Sequence, residues 1–145
     1  MVWEGNMNTK DAVNYIKTLF NNYWGQQLKY KCGYDNVAMK TPNDQVPYAE
    51  LNVIHVMAGQ ATLTGTEGRR RFRQSGYVTV SIYVPSNTAM DLAYDLAQGT
   101  MNVFRRPPAD CQINFSDFSF TEDDERYRDF FRIIVKMRFD YDYIF

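Results

Sequence analysis

One stretch near the C-terminal end limits the possible folds more than any other: FFRIIVKMRFDYDY, residues 130–143. Phe131, Ile133, Val135, Met137, Phe139 and Tyr141 fall on one side of an extended chain, and Arg132, Lys136, Arg138, Asp140 and Asp142 on the other. Successive side chains of a strand point to opposite faces, so this alternation specifies a strand with one dry and one wet side. A long two-faced strand needs neighbours to complete a sheet and a second layer over its dry face.

The rest of the chain supplies both. Arg71 to Val84 alternates in the same way, with Tyr77, Thr79, Ser81 and Tyr83 against Val78, Val80, Ile82 and Val84. Tyr48 to Met57, rich in β-branched residues and lying between a Pro and a Gly, is its expected partner. Between them AGQATLTGTEGRR is polar and broken by Gly, and is expected to project as a long hairpin arm at about 58–75. Gln112 to Phe120 predicts a further strand, joined to the last one by the acidic turn EDDER. A short strand is expected at Leu28 to Cys32, followed by a loop from Gly33 to Pro47.

Two segments have helical period. Val13, Ile16, Leu19, Phe20, Tyr23 and Trp24 follow the i, i+3, i+4, i+7 rule. Asn8 or Thr9 can cap that helix, Asp11 suits the positive end of its dipole, and Gly25 stands where a left-handed residue would end it. The second helix is TAMDLAYDLAQGTMNVF, with Ser86, Asn87 and Thr88 offering caps worth about 1 kcal/mol and Pro107-Pro108 closing it. The expected architecture is an α+β two-layer domain, a mostly antiparallel sheet with both helices on one face, in the order α-β-β-β-α-β-β. No repeat or linker divides residues 1–145, so one domain is expected.

Composition excludes several function classes. With 45% hydrophobic residues, 10 Phe, 11 Tyr and 2 Trp against 8 Gly and 5 Pro, the chain specifies a packed core rather than a disordered or collagen-like polymer. A net charge of −1 gives no global attraction to phosphates. Cys32 and Cys111 lack CxxC spacing and a nearby His, and read as two reduced thiols of a protein that matures in a reducing cytoplasm. MVWEGNMNTKDAV has no basic region leading into an apolar run, and no stretch has 18 consecutive apolar residues, so neither a standard secretory signal nor a membrane span is expected.

Catalytic patterns are sparse, and no enzymatic activity, cofactor or metal is expected. His55, the single histidine, lies mid-strand and reads as a hydrogen-bonded structural residue rather than a catalytic base. Gly65 and Gly68 have no P-loop Lys-Ser/Thr after them. Asp91 and Asp95, at i and i+4, make two carboxylates without a third ligand. Asp140 and Asp142 read as a solvated strand face. Glu122, Asp123, Asp124 and Glu125 form either a solvated hairpin tip or a docking patch for a basic partner. Arg69, Arg70, Arg71 and Arg73 place four guanidinium groups within five residues. That cluster suits a solvated loop, the carboxylates of a protein interface, or a DNA-facing surface that would be weak and sequence-blind.

The block GRRRFRQSGYVTVSIYVPSNTAMDLAYDLAQGTMNVF, followed by a strand, a short acidic turn and a long amphipathic final strand, resembles the tail terminator (tail completion) proteins of long-tailed bacteriophages. The residues that carry the resemblance are Arg71, Arg73, Gly76, Val78, Val80, Ile82, Val84, Pro85, Thr88, Asp91, Leu92 and Ala93. The remainder matches by order of elements, and the chain departs from the family in MVWEGNM and in the long loop Gly33 to Pro47. The resemblance implies a six-membered homo-oligomeric ring that caps the finished tail tube, stops addition of tube protein and offers the head a joining surface. It implies a location at the head-proximal end of the tail in the virion, after assembly in the host cytoplasm. Its implied partners are further copies of itself, the tube protein, a head-tail connector or neck protein, and DNA that passes through the channel without sequence-specific contact. Two alternatives from other classes are a head-completion or neck connector ring, and a small enzyme or ligand-binding domain.

Overall fold

The structure, a computed structural model, describes residues 8–34, 46–60, 71–86, 90–127 and 130–144. Helix α1 spans Thr9–Asn21 and starts as its sequence dictates: Asn8 Oδ1 accepts from the Asp11 amide at 2.8 Å, and Asp11 lies in the first turn. Its end differs from expectation. The chain passes Gly25 in a π-helical segment, Asn22–Gln27, closed by the Leu28 amide donating to Tyr23 O at 2.8 Å. The left-handed residue that breaks away is Lys29, at φ 60°. The short strand therefore begins later than expected: β1 is Lys31–Tyr34, which also takes Gly33 and Tyr34 out of the predicted loop.

The other elements are β2 (Tyr48–Gln60), β3 (Arg71–Pro85), α2 (Met90–Arg105), β4 (Asn114–Tyr127) and β5 (Phe130–Ile144). They form the α+β fold in the expected order, with sheet order β1-β2-β3-β5-β4. All pairings are antiparallel except β1 with β2. One row crosses the sheet from Leu51 through Val80 and Val135 to Phe120. Both helices lie on the face that carries Ala49, Leu51, Val78, Val80, Ile82, Ile133, Val135, Met137 and Phe139, all essentially inaccessible.

Trp24 ties the helical layer together. It is fully buried, and its Nε1 donates to Thr100 Oγ1 at 3.0 Å, while that hydroxyl donates to Leu96 O at 2.7 Å. Gly99, which looks like a flaw in α2, has a packing reason: a Cβ there would lie 1.9 Å from the Tyr23 hydroxyl oxygen.

Register shifts reshape the sheet at three places among the described residues, the third lying between Asp123 and Tyr127 of β4. Between His55 and Met57 the β2–β3 register shifts by the extra residue Val56. Gly76 sits opposite, and a Cβ on it would lie 2.0 Å from Ile54 O and 2.9 Å from His55 Cα. In β4 the register shifts between Ser116 and Ser119, around Asp117 at φ 54°. The helix-free face is not uniformly wet. Tyr48, Tyr83 and Phe130 are buried there, with Tyr48 stacked on Tyr83 at 4.5 Å and edge-on to Phe130 at 5.1 Å.

Candidate functional site

The arginine cluster lies where β3 enters the sheet. Arg69 and Arg70 fall outside the described residues, as do Gly65 and Gly68 and the tip of the expected arm. The part of that arm that is described is strand: Gly59 pairs with Arg73, and Gln60 with Phe72. Arg71 lies opposite Ile144 in the β3–β5 ladder. Arg73 lies opposite Asp142, and its Nε donates to Asp142 Oδ1 at 3.1 Å. That hydrogen bond, with the charges of Asp142 and Asp140, holds the guanidinium still more firmly in its charged form. The pair is exposed, so its worth lies in orientation more than in stability.

The acidic run is not a turn. Residues 122–125 belong to β4, which extends through Tyr127, and alternation sends Glu122 and Asp123 to opposite faces. Glu122 lies opposite Ile133, on the helix side, and accepts from the Tyr94 hydroxyl at 2.7 Å. Asp123 lies opposite Arg132, on the helix-free side, where Arg132 Nε donates to its Oδ2 at 2.8 Å and Nη2 reaches the same oxygen. The side chains of Asp124 and Glu125 lie outside the described residues. Consecutive carboxylates on a strand are thus separated, and Glu122 and Asp123 do not form one patch.

His55 sits under the β2 bulge on the helix side. Its Nε2 is 3.1 Å from the Tyr141 hydroxyl, which donates at 3.4 Å to Thr9 Oγ1 at the start of α1. Its ring meets Phe139 edge-on at 5.2 Å. Burial among these rings lowers its pKa, so the neutral imidazole is favoured. The ring thus joins two strands to a helix. Burial also raises the Cys32 thiol, whose Sγ lies 3.6 Å from Asn21 Oδ1. Asp91 and Asp95 are exposed on α2. Among the described residues no group of three or more His, Cys, Asp or Glu is placed to hold a metal ion. Among the same residues no helix is long and apolar enough to cross a membrane.

The most distinctive surface is on the helix-free face. Ile54, Val56 and Tyr77 stand 48%, 61% and 36% exposed. Lys136 Nζ lies 4.4 Å over the Tyr77 ring, and Arg138 is opposite Tyr77 across the ladder. A hollow of about 120 Å³ opens here, lined by Val56, Ser75, Gly76, Tyr77 and Arg138. The sequence carries a trace of this surface: Ile54 and Val56 are apolar at positions where β2 otherwise places Glu50 and Asn52. A second exposed aromatic pair, Tyr94 and Phe120, lies 6.2 Å apart beside β4 on the helix side.

No family model and no curated protein matches the sequence. Solved structures do match, among them one that is similar over 89% of this chain and 94% of its own, with a TM-score of 0.51 and 13% identity. At that identity the likeness extends to the fold alone.

Proposed function

We propose that this chain is a structural virion protein of a long-tailed bacteriophage, a ring of six copies that caps the completed tail tube, halts tube growth and presents the head-joining surface. The observation that carries this reading is the coincidence of the resembling block with one structural unit. Its arginine-bearing start, alternating middle and Pro85 lie on β3, the central-sheet strand that runs out into the β2–β3 hairpin, and Asp91, Leu92 and Ala93 open α2. The order of elements around it, two helices and five strands as α-β-β-β-α-β-β, supports the reading.

Such a role needs contacts rather than chemistry. One ring face imitates the tube subunit and binds it, while the other withholds the edge that polymerisation needs, and the closed ring leaves a channel through which DNA passes. Tube protein, a neck protein and neighbouring copies are then the partners, at the head-proximal end of the tail. Arg71 and Arg73 are assigned to subunit or tube contacts.

The test is electron microscopy of particles made after deletion of the gene from its phage. The reading requires abnormally long tails unattached to heads. Normal tails beside DNA-filled heads transfer the protein to a head-side connector, and intact virions remove both readings. Alanine at Arg71 and Arg73 together is expected to impair tail joining; full joining by that variant would cancel the arginine assignment.

A further inference from the structure

The five large apolar side chains that the described residues leave exposed are Ile54, Val56, Tyr77, Tyr94 and Phe120. They are not scattered. Three lie together on the helix-free face and two lie together beside α2 and β4, on the opposite side of the domain. The charges that touch the aromatic ring of each group differ in sign, Lys136 over Tyr77 and Glu122 on the Tyr94 hydroxyl. Lys136 and Arg138 flank the first; among the described residues Arg138 has no ion-pair partner. The carboxylates further along that face are engaged, Asp142 with Arg73 and Asp140 with Asn114. Asp91, exposed at i−3 from Tyr94 on α2, and Glu122, bonded to Tyr94, border the second.

Clustered exposed apolar groups mark contact surfaces, and a charged border selects the partner and its orientation. The two patches cannot meet within one chain, because the sheet and the helical layer stand between them. A two-fold dimer would set cation against cation or carboxylate against carboxylate. A head-to-tail contact instead brings the apolar centres together with opposite charges around them, and leaves one patch free at each end for the next copy.

We infer that the Ile54–Val56–Tyr77 patch with its Lys136 and Arg138 border is the receptor for the Tyr94–Phe120 patch, with its Asp91 and Glu122 border, of a second copy of this chain. This contact deepens the ring reading by naming the two surfaces that would close it. The hollow beside Arg138 receives an aromatic or carboxylate side chain from α2 or β4 of the neighbour.

Sedimentation velocity over a range of protein concentrations tests it, using the wild type, Arg138→Glu, Asp91→Lys, an equimolar mixture of these two variants, and the double variant. Both positions are exposed, and far-UV circular dichroism with thermal melts verifies that each variant folds. The wild type is expected to self-associate, each single variant to associate at least about tenfold more weakly, and both the mixture and the double variant to recover association. A wild type that stays monomeric, single variants that associate like the wild type, or a mixture and double variant that fail to recover would each overturn the pairing. The result separates from the virion reading. Elongated tails on gene deletion with a charge-insensitive assembly would leave the cap role standing without this interface, and charge-paired assembly with normal tails would leave the interface standing without the cap role.

Discussion

Replacing Thr100 by Val keeps nearly the same shape and removes one oxygen. That oxygen accepts from the buried Trp24 Nε1 at 3.0 Å and donates to Leu96 O at 2.7 Å, with Thr100 itself 1% exposed. The lost bond to Leu96 O matters little, since that carbonyl keeps its place in the helix. The orphaned indole N–H matters more: a buried donor left without a partner costs about 1–3 kcal/mol, and the added methyl recovers part of it. The expected net loss is about 1–2 kcal/mol, or a Tm lower by roughly 2–8 °C for a domain of this size. Urea unfolding followed by far-UV circular dichroism measures it, with an unchanged m-value as evidence that the native state is intact. The mechanism is checked by a double-mutant cycle. In a Trp24→Phe background there is no N–H to strand, so Thr100→Val should cost markedly less, giving a coupling of about 1 kcal/mol or more. Equal losses in the two backgrounds would refute the reasoning, because the hydroxyl would then act through packing alone.

Gly76→Ala forces a Cβ into the β2 backbone at Ile54 and His55, where no rotamer change can make room; a loss of more than about 3 kcal/mol or failure to fold is expected, read by chemical denaturation. Gly99→Ala sets a helix-propensity gain of up to about 1 kcal/mol against a clash with the Tyr23 hydroxyl, so it should destabilise the wild type and cost less in a Tyr23→Phe background. His55 makes stability pH-dependent in a definite sense. Its folded pKa lies below the unfolded value near 6.5, so the unfolded chain takes up the proton first and stability falls as pH drops through about 6.5, until the folded pKa is passed. As the single histidine, it dominates that window, and thermal melts from pH 7.5 to 5.5 should fall less steeply for His55→Gln; parallel slopes would remove the assignment.

Legibility in the sequence followed the range of the governing interactions. Strict alternation announced β5 and most of β3, and a 3.6-residue period bounded α2, because both patterns are local consequences of a face turned to the core. The end of α1 misled because Gly25 advertises a left-handed turn, whereas the long-range Trp24–Thr100 bond accompanies a wider π-helical segment that carries the chain on to Lys29. β4 was longer than its apolar residues indicated. Its acidic half is held by pairing with β5 and by partners such as Arg132 and Tyr94, none of which a local window displays. The same pairing explains why the acidic site dissolved: a turn would have gathered Glu122 and Asp123, and a strand sends them apart. The parallel β1–β2 pairing and the two exposed patches depend on which residues become neighbours across the sheet, which neither periodicity nor composition encodes.

The position of β5 has a consequence for how the chain is made. It is made after both of its neighbours, yet it occupies an interior place, with β3 on one side and β4 on the other. Until it emerges, the nascent chain carries β3 with a bare hydrogen-bonding edge and β4 with no strand beside it, and both wait for a pairing partner not yet synthesised. Closure of the sheet is therefore a late, single event that joins distant parts of the chain, a slow kind of step during which the open edges can capture strands of other molecules. A chain that stops before residue 130 leaves β3 and β4 without the strand that joins them, rather than a slightly shortened domain, so completion of this sheet has in effect one checkpoint, the arrival of β5.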